Sequence, residues 1–203
     1  KNVKYLKNDE QSLIELITEI SPNILITLGW RNIISDKVLE KFELGINIHP
    51  ALLPEYKGYH PLPHILINNE HKHGLTAHVI TNMVDSGDIV AQESFPINKF
   101  STVKSLIDLS SKKMPDFFKK VVRLIDNGQL NFTKQDNAKT KILAKKRTPD
   151  DCQLNAEKSL IELFDYIRAC DQDRFPPFFY VNGEKVYLKV WRKSNNRKNQ
   201  FDI

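Results

Sequence analysis

The stretch NILITLGWRNIISDKVLEKFELGINIH, Asn23 to His49, decides the fold. Asn23 to Leu28 is a short, nearly continuous apolar run halted at Gly29, the pattern of a parallel strand covered on both faces. Ser35 is placed to cap a short helix running to about Glu40. Gly45 reads as the stop of that helix, ahead of a second buried strand from Ile46 to His49. Strand, helix and strand in that order make a βαβ unit, and the fold class that follows is α/β.

Working outward, Leu13, Leu16, Ile17 and Ile20 carry the spacing of a helix with one buried face, capped by Asn8 or Asp9 and ending before Pro22. Leu75 to Thr81 and Asp88 to Pro96 read as strands joined through a turn at Ser86-Gly87, close enough to form a hairpin. A long helix is predicted from Thr102 to Asn127, with Leu106, Leu109, Phe117, Val121, Leu124 and Ile125 apolar and Pro115 expected to kink or divide it. A further helix places Leu160, Leu163, Phe164 and Ile167 on one face. Asn182-Gly183, between Phe178 to Val181 and Lys185 to Trp191, suits a type I′ turn, because both central residues need positive φ. Phe175 to Tyr180 and Trp191 are expected to form the core of that hairpin. A boundary near 146 to 150 separates a core, residues 1–147, from a small helix and hairpin subdomain, residues 148–203. The polar end from Ser194 reads as frayed.

With 40% hydrophobic and 27% charged residues and a mean hydropathy of -0.43, the chain forms a core rather than remaining disordered. No apolar run approaches the roughly 20 residues that cross a bilayer, and no signal-peptide pattern opens the chain, so a cytoplasmic protein without a membrane partner is expected. Cys152 and Cys170 lie apart with no partner pattern, which argues against a disulfide scaffold. The missing initial Met leaves open a processed start or a lost upstream segment. The net charge of +5 suits an anionic ligand and falls short of a nucleic-acid-coating protein. Lys134 to Arg147 alone holds six basic residues and one acid. Those side chains can attract a diphosphate or form a solvated edge, and the edge is the better reading for most of them.

Chemistry concentrates between Ile46 and Gln92. Asn47 and His49 alternate with apolar residues at a strand end, so both side chains point one way, at the carboxyl edge where open α/β sheets bind ligands. An amide there can donate to an oxygen that becomes negative, and an imidazole can move a proton. Asp85, in a turn after another strand, can orient the imidazole and favour its charged form, or order a proton-carrying water. The plain alternative is a polar strand end and a turn aspartate satisfied locally. All six histidines fall between positions 49 and 78, with His60 and His64 four apart and His71 and His73 two apart, but no metal-binding signature accompanies them and no metal is expected. His71, His73 and His78 read as solvated or structural.

The same segment closely resembles the 10-formyltetrahydrofolate-dependent formyltransferases in Asn47 and His49, Leu52-Leu53-Pro54, Tyr56-Lys57-Gly58 and Asp85-Ser86-Gly87. The resemblance covers residues 22 to 97, including Leu28 to Ile34; the strand and helix with which the family usually begins, the first half of a Rossmann unit, are expected to be absent or to lie upstream. It implies a Rossmann-like core and a catalytic trio of Asn47, His49 and Asp85, with protonated His49 and Asn47 stabilising an oxyanion while Asp85 sustains the His charge. It also implies a pterin held by Trp30, Arg31, Ile33, Ile34, Thr81, Asn82 and Val84, and contacts to the other substrate from Tyr56, Lys57 or His60; His60 can equally have a loop role. The tail, Lys146 to Asp151, Leu163 to Ala169 and Arg174 to Val186, is similar to the nucleotide-sugar N-formyltransferases. That likeness implies formyl transfer from 10-formyltetrahydrofolate to a nucleotide-linked dideoxy-amino sugar for surface polysaccharide (O-antigen) assembly, no nucleic-acid partner, and a homodimer formed through the tail. The chain looks too short for a methionyl-tRNA formyltransferase and lacks the early glycine-rich loop of a glycinamide ribonucleotide enzyme. A glycinamide ribonucleotide-type formyltransferase and a non-catalytic folate or nucleotide-sugar binding module are the alternatives.

Overall fold

Period-two alternation in the strands sets the layers of the molecule. The computed structural model describes residues 10–30, 32–143, 145–193 and 198–203. The elements of its first half are α1 (Glu10–Ile20), β1 (Ile24–Leu28), α2 (Asp36–Leu39), β2 (Leu44–His49), β3 (Lys57–Gly58), α3 (Pro61–Ile67), β4 (Lys72–Val79) and β5 (Ile89–Pro96). There follow α4 (Val103–Asp126), β6 (Ile142–Leu143), α5 (Leu160–Ala169), β7 (Phe178–Val181) and β8 (Glu184–Tyr187). Four strands form a sheet in the order β1-β2-β4-β5. β1 and β2 are parallel, as the βαβ reading requires, while β2–β4 and β4–β5 are antiparallel.

Ile46 and Ile48 of β2, Leu75 and Ala77 of β4, and Val90 and Phe95 of β5 pack against Phe117 and Val121 of α4. Burying each large apolar side chain there stabilises the fold by about 2 kcal/mol. The intervening positions, Asn47, His49, Thr76 and His78, are thereby turned to the other face. On that side α1, α2 and the loop before α2 cover the β1 end through Ile17, Val38 and Ile34. A separate cluster joins α3 and the last turn of α5 to Val103 and Leu106 of α4. α4 begins with a reciprocal cap between Thr102 and Ser105.

Several expectations are corrected. Among the described residues β1 is an edge strand, and its Ile24 and Leu28 are exposed rather than covered. Gly45 stops no helix; it pairs with Leu25 inside β2. In α1, Ile14 joins Leu13 and Ile17 in the apolar contact and Ile20 is exposed; Asn8 and Asp9 lie outside the described residues. Pro115 does not divide α4, which runs unbroken for 24 residues. β4 begins earlier than expected and ends at Val79. Leu160, in the first turn of α5, is exposed.

The β7–β8 hairpin turns at Asn182 and Gly183 with φ of 48° and 85°, as the dipeptide required. It ends at Tyr187. Phe178 is buried, but Phe175, Tyr180 and Trp191 are exposed, Trp191 by 76%, so they do not form a hairpin core. Residues 194–197 lie outside the described set, but the segment beyond them is not frayed: Ile203 N–H donates to Phe100 O, Thr102 Oγ1 donates to Phe201 O, and Asn98 Nδ2 donates to Asp202 Oδ2. Arg168 of α5, fully buried, donates to Ser101 O and to Asp165.

Candidate active site

Three separate segments meet at the Asp85 carboxylate. Asn47 and His49 project from the polar face of β2, and Asp85 folds back toward them from the loop after β4, in the left-handed region at φ 47°. His49 Nδ1 lies 3.3 Å from Asp85 Oδ2, and Asn47 Nδ2 lies 3.4 Å from Oδ1. The Gly58 N–H donates to Oδ2 at 2.8 Å. Gly58 has φ +95°, and a Cβ on it would stand 2.6 Å from Leu143 O, so only glycine brings this N–H so close under β6. A fourth group completes the cluster. His78 is the register partner of Asn47 across β2 and β4, and its Nε2 lies 3.3 Å from Asp85 Oδ1 and 3.1 Å from Asn47 Nδ2.

Hydrogen-bond partners fix the orientations. Thr27 Oγ1 donates to Asn47 Oδ1 at 2.8 Å, so the Asn47 NH₂ faces His78 and Asp85. His78 Nδ1 lies 2.9 Å from Val79 O, and its Nε2 stands between Asn47 Nδ2 and Asp85 Oδ1, so it accepts from the amide when unprotonated and donates to the carboxylate when protonated. His49 Nε2 lies 2.9 Å from Tyr56 O. Burial pushes the His49 pKa down, against the raising influence of Asp85 and the Tyr56 carbonyl, and leaves it below 6.5. Burial pushes the Asp85 carboxyl up, but the His78 hydrogen bond, the His49 charge and the Gly58 N–H together outweigh it and hold it below the ordinary value. Lys57, 2% exposed, is lowered by burial against the raising effect of Asp85, and its Nζ donates to Ser86 Oγ at 3.2 Å.

An ionised carboxylate between two imidazoles and an amide donor can take up a proton from an attacking nucleophile and stabilise a developing oxyanion. The formyl transferase profile matches residues 1–122, a span that contains every member of the cluster. The chain belongs to the formyl transferase family. It is 27% identical over 190 residues to the methionyl-tRNA formyltransferase of Fusobacterium nucleatum, covering 93% of this chain and 60% of that protein's length. A 4-N formyltransferase from Francisella tularensis is 25% identical, with a TM-score of 0.75 over 90% of this chain and 75% of that one. The N-formyltransferase from Helicobacter canadensis, solved in complex with folinic acid and dTDP-3-aminofucose, is 28% identical. Its TM-score is 0.66 over 79% of this chain and 59% of that one.

In this formyl transferase chain the remaining predicted residues separate into groups. Trp30 and Ile34 pack beside Val38, and the Trp30 Nε1 donor is buried without a partner among the described residues. Ile33 and Val84 are exposed by 69% and 51%, with Met83 exposed beside Val84. Thr81 Oγ1 donates to Met83 O, and Asn82 Nδ2 reaches Asp36 Oδ2 at 3.5 Å, which ties this loop to the start of α2. Arg31 lies outside the described residues. Tyr56 contributes its carbonyl to His49, but its hydroxyl turns away to Glu70, Asn68 and Lys141. His60, exposed at φ 50°, is the N-cap of α3, so it does not share a helical face with His64. His73 is buried against Phe95 and His71 is exposed. Among the described residues no set of three metal-ligating side chains is arranged to hold an ion, and no helix is long and apolar enough to cross a membrane.

A cavity of about 360 Å³ opens beneath Leu52-Leu53-Pro54, lined also by Tyr56, Glu70, Lys72 and Gln92. Neither Asn47, His49 nor Asp85 lines it, so the chemistry lies elsewhere. Sequence reasoning missed His78, Thr27 and Gln135. His78 carried a signal: with Thr76 it alternates with Leu75 and Ala77, the same pattern that singled out Asn47 and His49. Gln135, whose Nε2 donates to the Asp85 and Gly87 carbonyls, stands 50 residues beyond Asp85 with no local cue.

Proposed function

We propose that the chain transfers the formyl group of 10-formyltetrahydrofolate to the amino group of a nucleotide-linked dideoxy-amino sugar, dTDP-4-amino-4,6-dideoxyglucose or a 3-amino relative. The observation that carries this reading is the Asp85 carboxylate, held within 3.4 Å of Asn47, His49 and His78. The 28% identical relative solved with folinic acid and dTDP-3-aminofucose supports the substrate class. Exposed Ile33, Met83 and Val84, with the unpartnered Trp30 donor, fit a flat heterocycle bearing acceptor atoms. In the reaction the amine nitrogen bonds to the formyl carbon, and the bond from that carbon to the folate nitrogen breaks. Asn47 redirects an N–H from His78 or Asp85 to the transient oxyanion. The amine proton is taken up within the Asp85, His49 and His78 cluster, where the carboxylate stabilises an imidazolium, and is returned to the departing folate nitrogen.

On this reading residues 148–203 form a separate tail subdomain, a homodimer forms through its exposed hairpin aromatics, and the product feeds surface polysaccharide (O-antigen) assembly from the cytoplasm. The 27% identity to a methionyl-tRNA formyltransferase supports a second reading, formyl transfer to a charged tRNA. The chain spans 60% of that relative, so length does not separate the two. The test incubates the full natural protein and 10-formyltetrahydrofolate with dTDP-linked 3- and 4-amino sugars, methionyl-tRNA and glycinamide ribonucleotide, and follows release of tetrahydrofolate. Turnover with an amino sugar, reduced about a hundredfold or more in Asn47→Ala, His49→Ala and Asp85→Ala, is expected. Turnover with methionyl-tRNA alone, or folate binding with no transfer to any acceptor, overturns the proposal.

A further inference from the structure

We propose that Gln135 is a positioning residue, whose side-chain amide holds the main chain of the Asp85 turn so that the carboxylate stays in reach of His49 and His78. The Gln135 NH₂ donates to Asp85 O at 2.9 Å and to Gly87 O at 2.7 Å, which uses both of its hydrogens. It thereby bridges the two sides of a turn whose first residue has positive φ, a conformation that a non-glycine residue keeps only when its surroundings enforce it. Gly87 packs so closely on Val79 that a Cβ would stand 2.0 Å from Val79 O, so the turn is pinned from below as well. Gln135 is itself anchored, because Thr133 and Ile89 exchange backbone hydrogen bonds at 2.8 and 2.9 Å two residues earlier. The segment then continues to β6, which pairs with β3 and so holds the Gly58 N–H that meets the same carboxylate from its other side. One strap after α4 thus fixes the Asp85 main chain and its side chain independently.

The kinetic consequence rests on the formyl-transfer reading; the electrostatic one does not. His49 is faced by Asp85 and His78, with the Tyr56 carbonyl on its other nitrogen and Lys57 beside Asp85. Asp85 raises the His49 pKa, so a displaced carboxylate lowers it further. The experiment compares Gln135→Met, which keeps the length without the donors, and Gln135→Ala with the parent, using NMR titration of the His49 ring without substrate and steady-state kinetics. Both variants are expected to titrate His49 at lower pH and to lower kcat by about ten- to a hundredfold with little change in KM for the formyl donor. Combined with Asp85→Asn, Gln135→Met is expected to lower kcat no further, because the group it positions is already gone. An unchanged His49 titration, or a loss that multiplies undiminished on Asp85→Asn, overturns the inference. If no acceptor is formylated, the functional reading falls while the titration still decides the role of Gln135.

Discussion

His73 lies inside the molecule, edge-on to Phe95, with neither ring nitrogen hydrogen-bonded. Burial lowers its pKa from 6.5 to about 4. A histidine buried neutral makes the folded state bind fewer protons than the unfolded chain between those two values, so stability falls as pH drops from 6.5 toward 4. At 1.36 kcal/mol per pH unit the full effect is about 3 kcal/mol. His49, also lowered by burial, acts in the same direction, whereas ionised Asp85 contributes stability that is present above its ordinary pKa and lost only as pH falls through its lowered one. His73→Phe keeps the aromatic contact and leaves no unpaired nitrogen. Thermal melts from pH 7.5 to 4.5 are expected to show a shallower acid-side decline in this variant than in the parent. Parallel declines would mean that His73 titrates unshifted.

At the scale of elements, what was legible in the sequence is what is encoded locally. Asn182-Gly183 fixes its own turn, Thr102 caps the helix that it begins, and alternation in β2 already separates Ile46 and Ile48 from Asn47 and His49. What escaped depends on segments far apart in the chain. β3 and β6 have two residues each, pair in parallel across more than 80 positions, and carry no periodic pattern to announce either strand. That clasp is nonetheless tightly constrained. Gly58→Ala adds a Cβ 2.6 Å from Leu143 O at a φ of +95°, so the strands must separate or the backbone must strain. Either outcome draws the Gly58 N–H from the Asp85 carboxylate. The variant is expected to lose about 1–3 kcal/mol in denaturant unfolding and to release the restraint on Asp85. An unchanged midpoint, with unchanged turnover, would show that the clasp is looser than its geometry.

Across the whole molecule, the excess of positive charge between Lys134 and Arg147 is partly spoken for. Lys141 pairs with Glu55 and Glu70, Lys139 pairs with Asp136, and Arg147 donates to Asp151 O and lies over the Tyr166 ring. Lys134, Lys145 and Lys146 are exposed, as a solvated edge requires. The tail instead offers an apolar surface. Tyr180, Val186 and Tyr187 of the hairpin are exposed, Tyr187 by 60%, and Trp191, four residues beyond its end, is exposed by 76%. Exposed large aromatic side chains are the usual anchors of a protein interface, because they bury much area at little entropic cost. If the hairpin joins two copies of the chain, removing the exposed rings of Tyr187 and Trp191 must weaken association; Tyr187 also meets buried Phe178 edge-on, so its loss costs the monomer some stability as well. Tyr187→Ser/Trp191→Ser is therefore expected to sediment as monomer at concentrations where the parent is dimeric, with a melting temperature that no longer depends on concentration. A parent that remains monomeric at every concentration, or a variant that still dimerises, removes the hairpin from the interface.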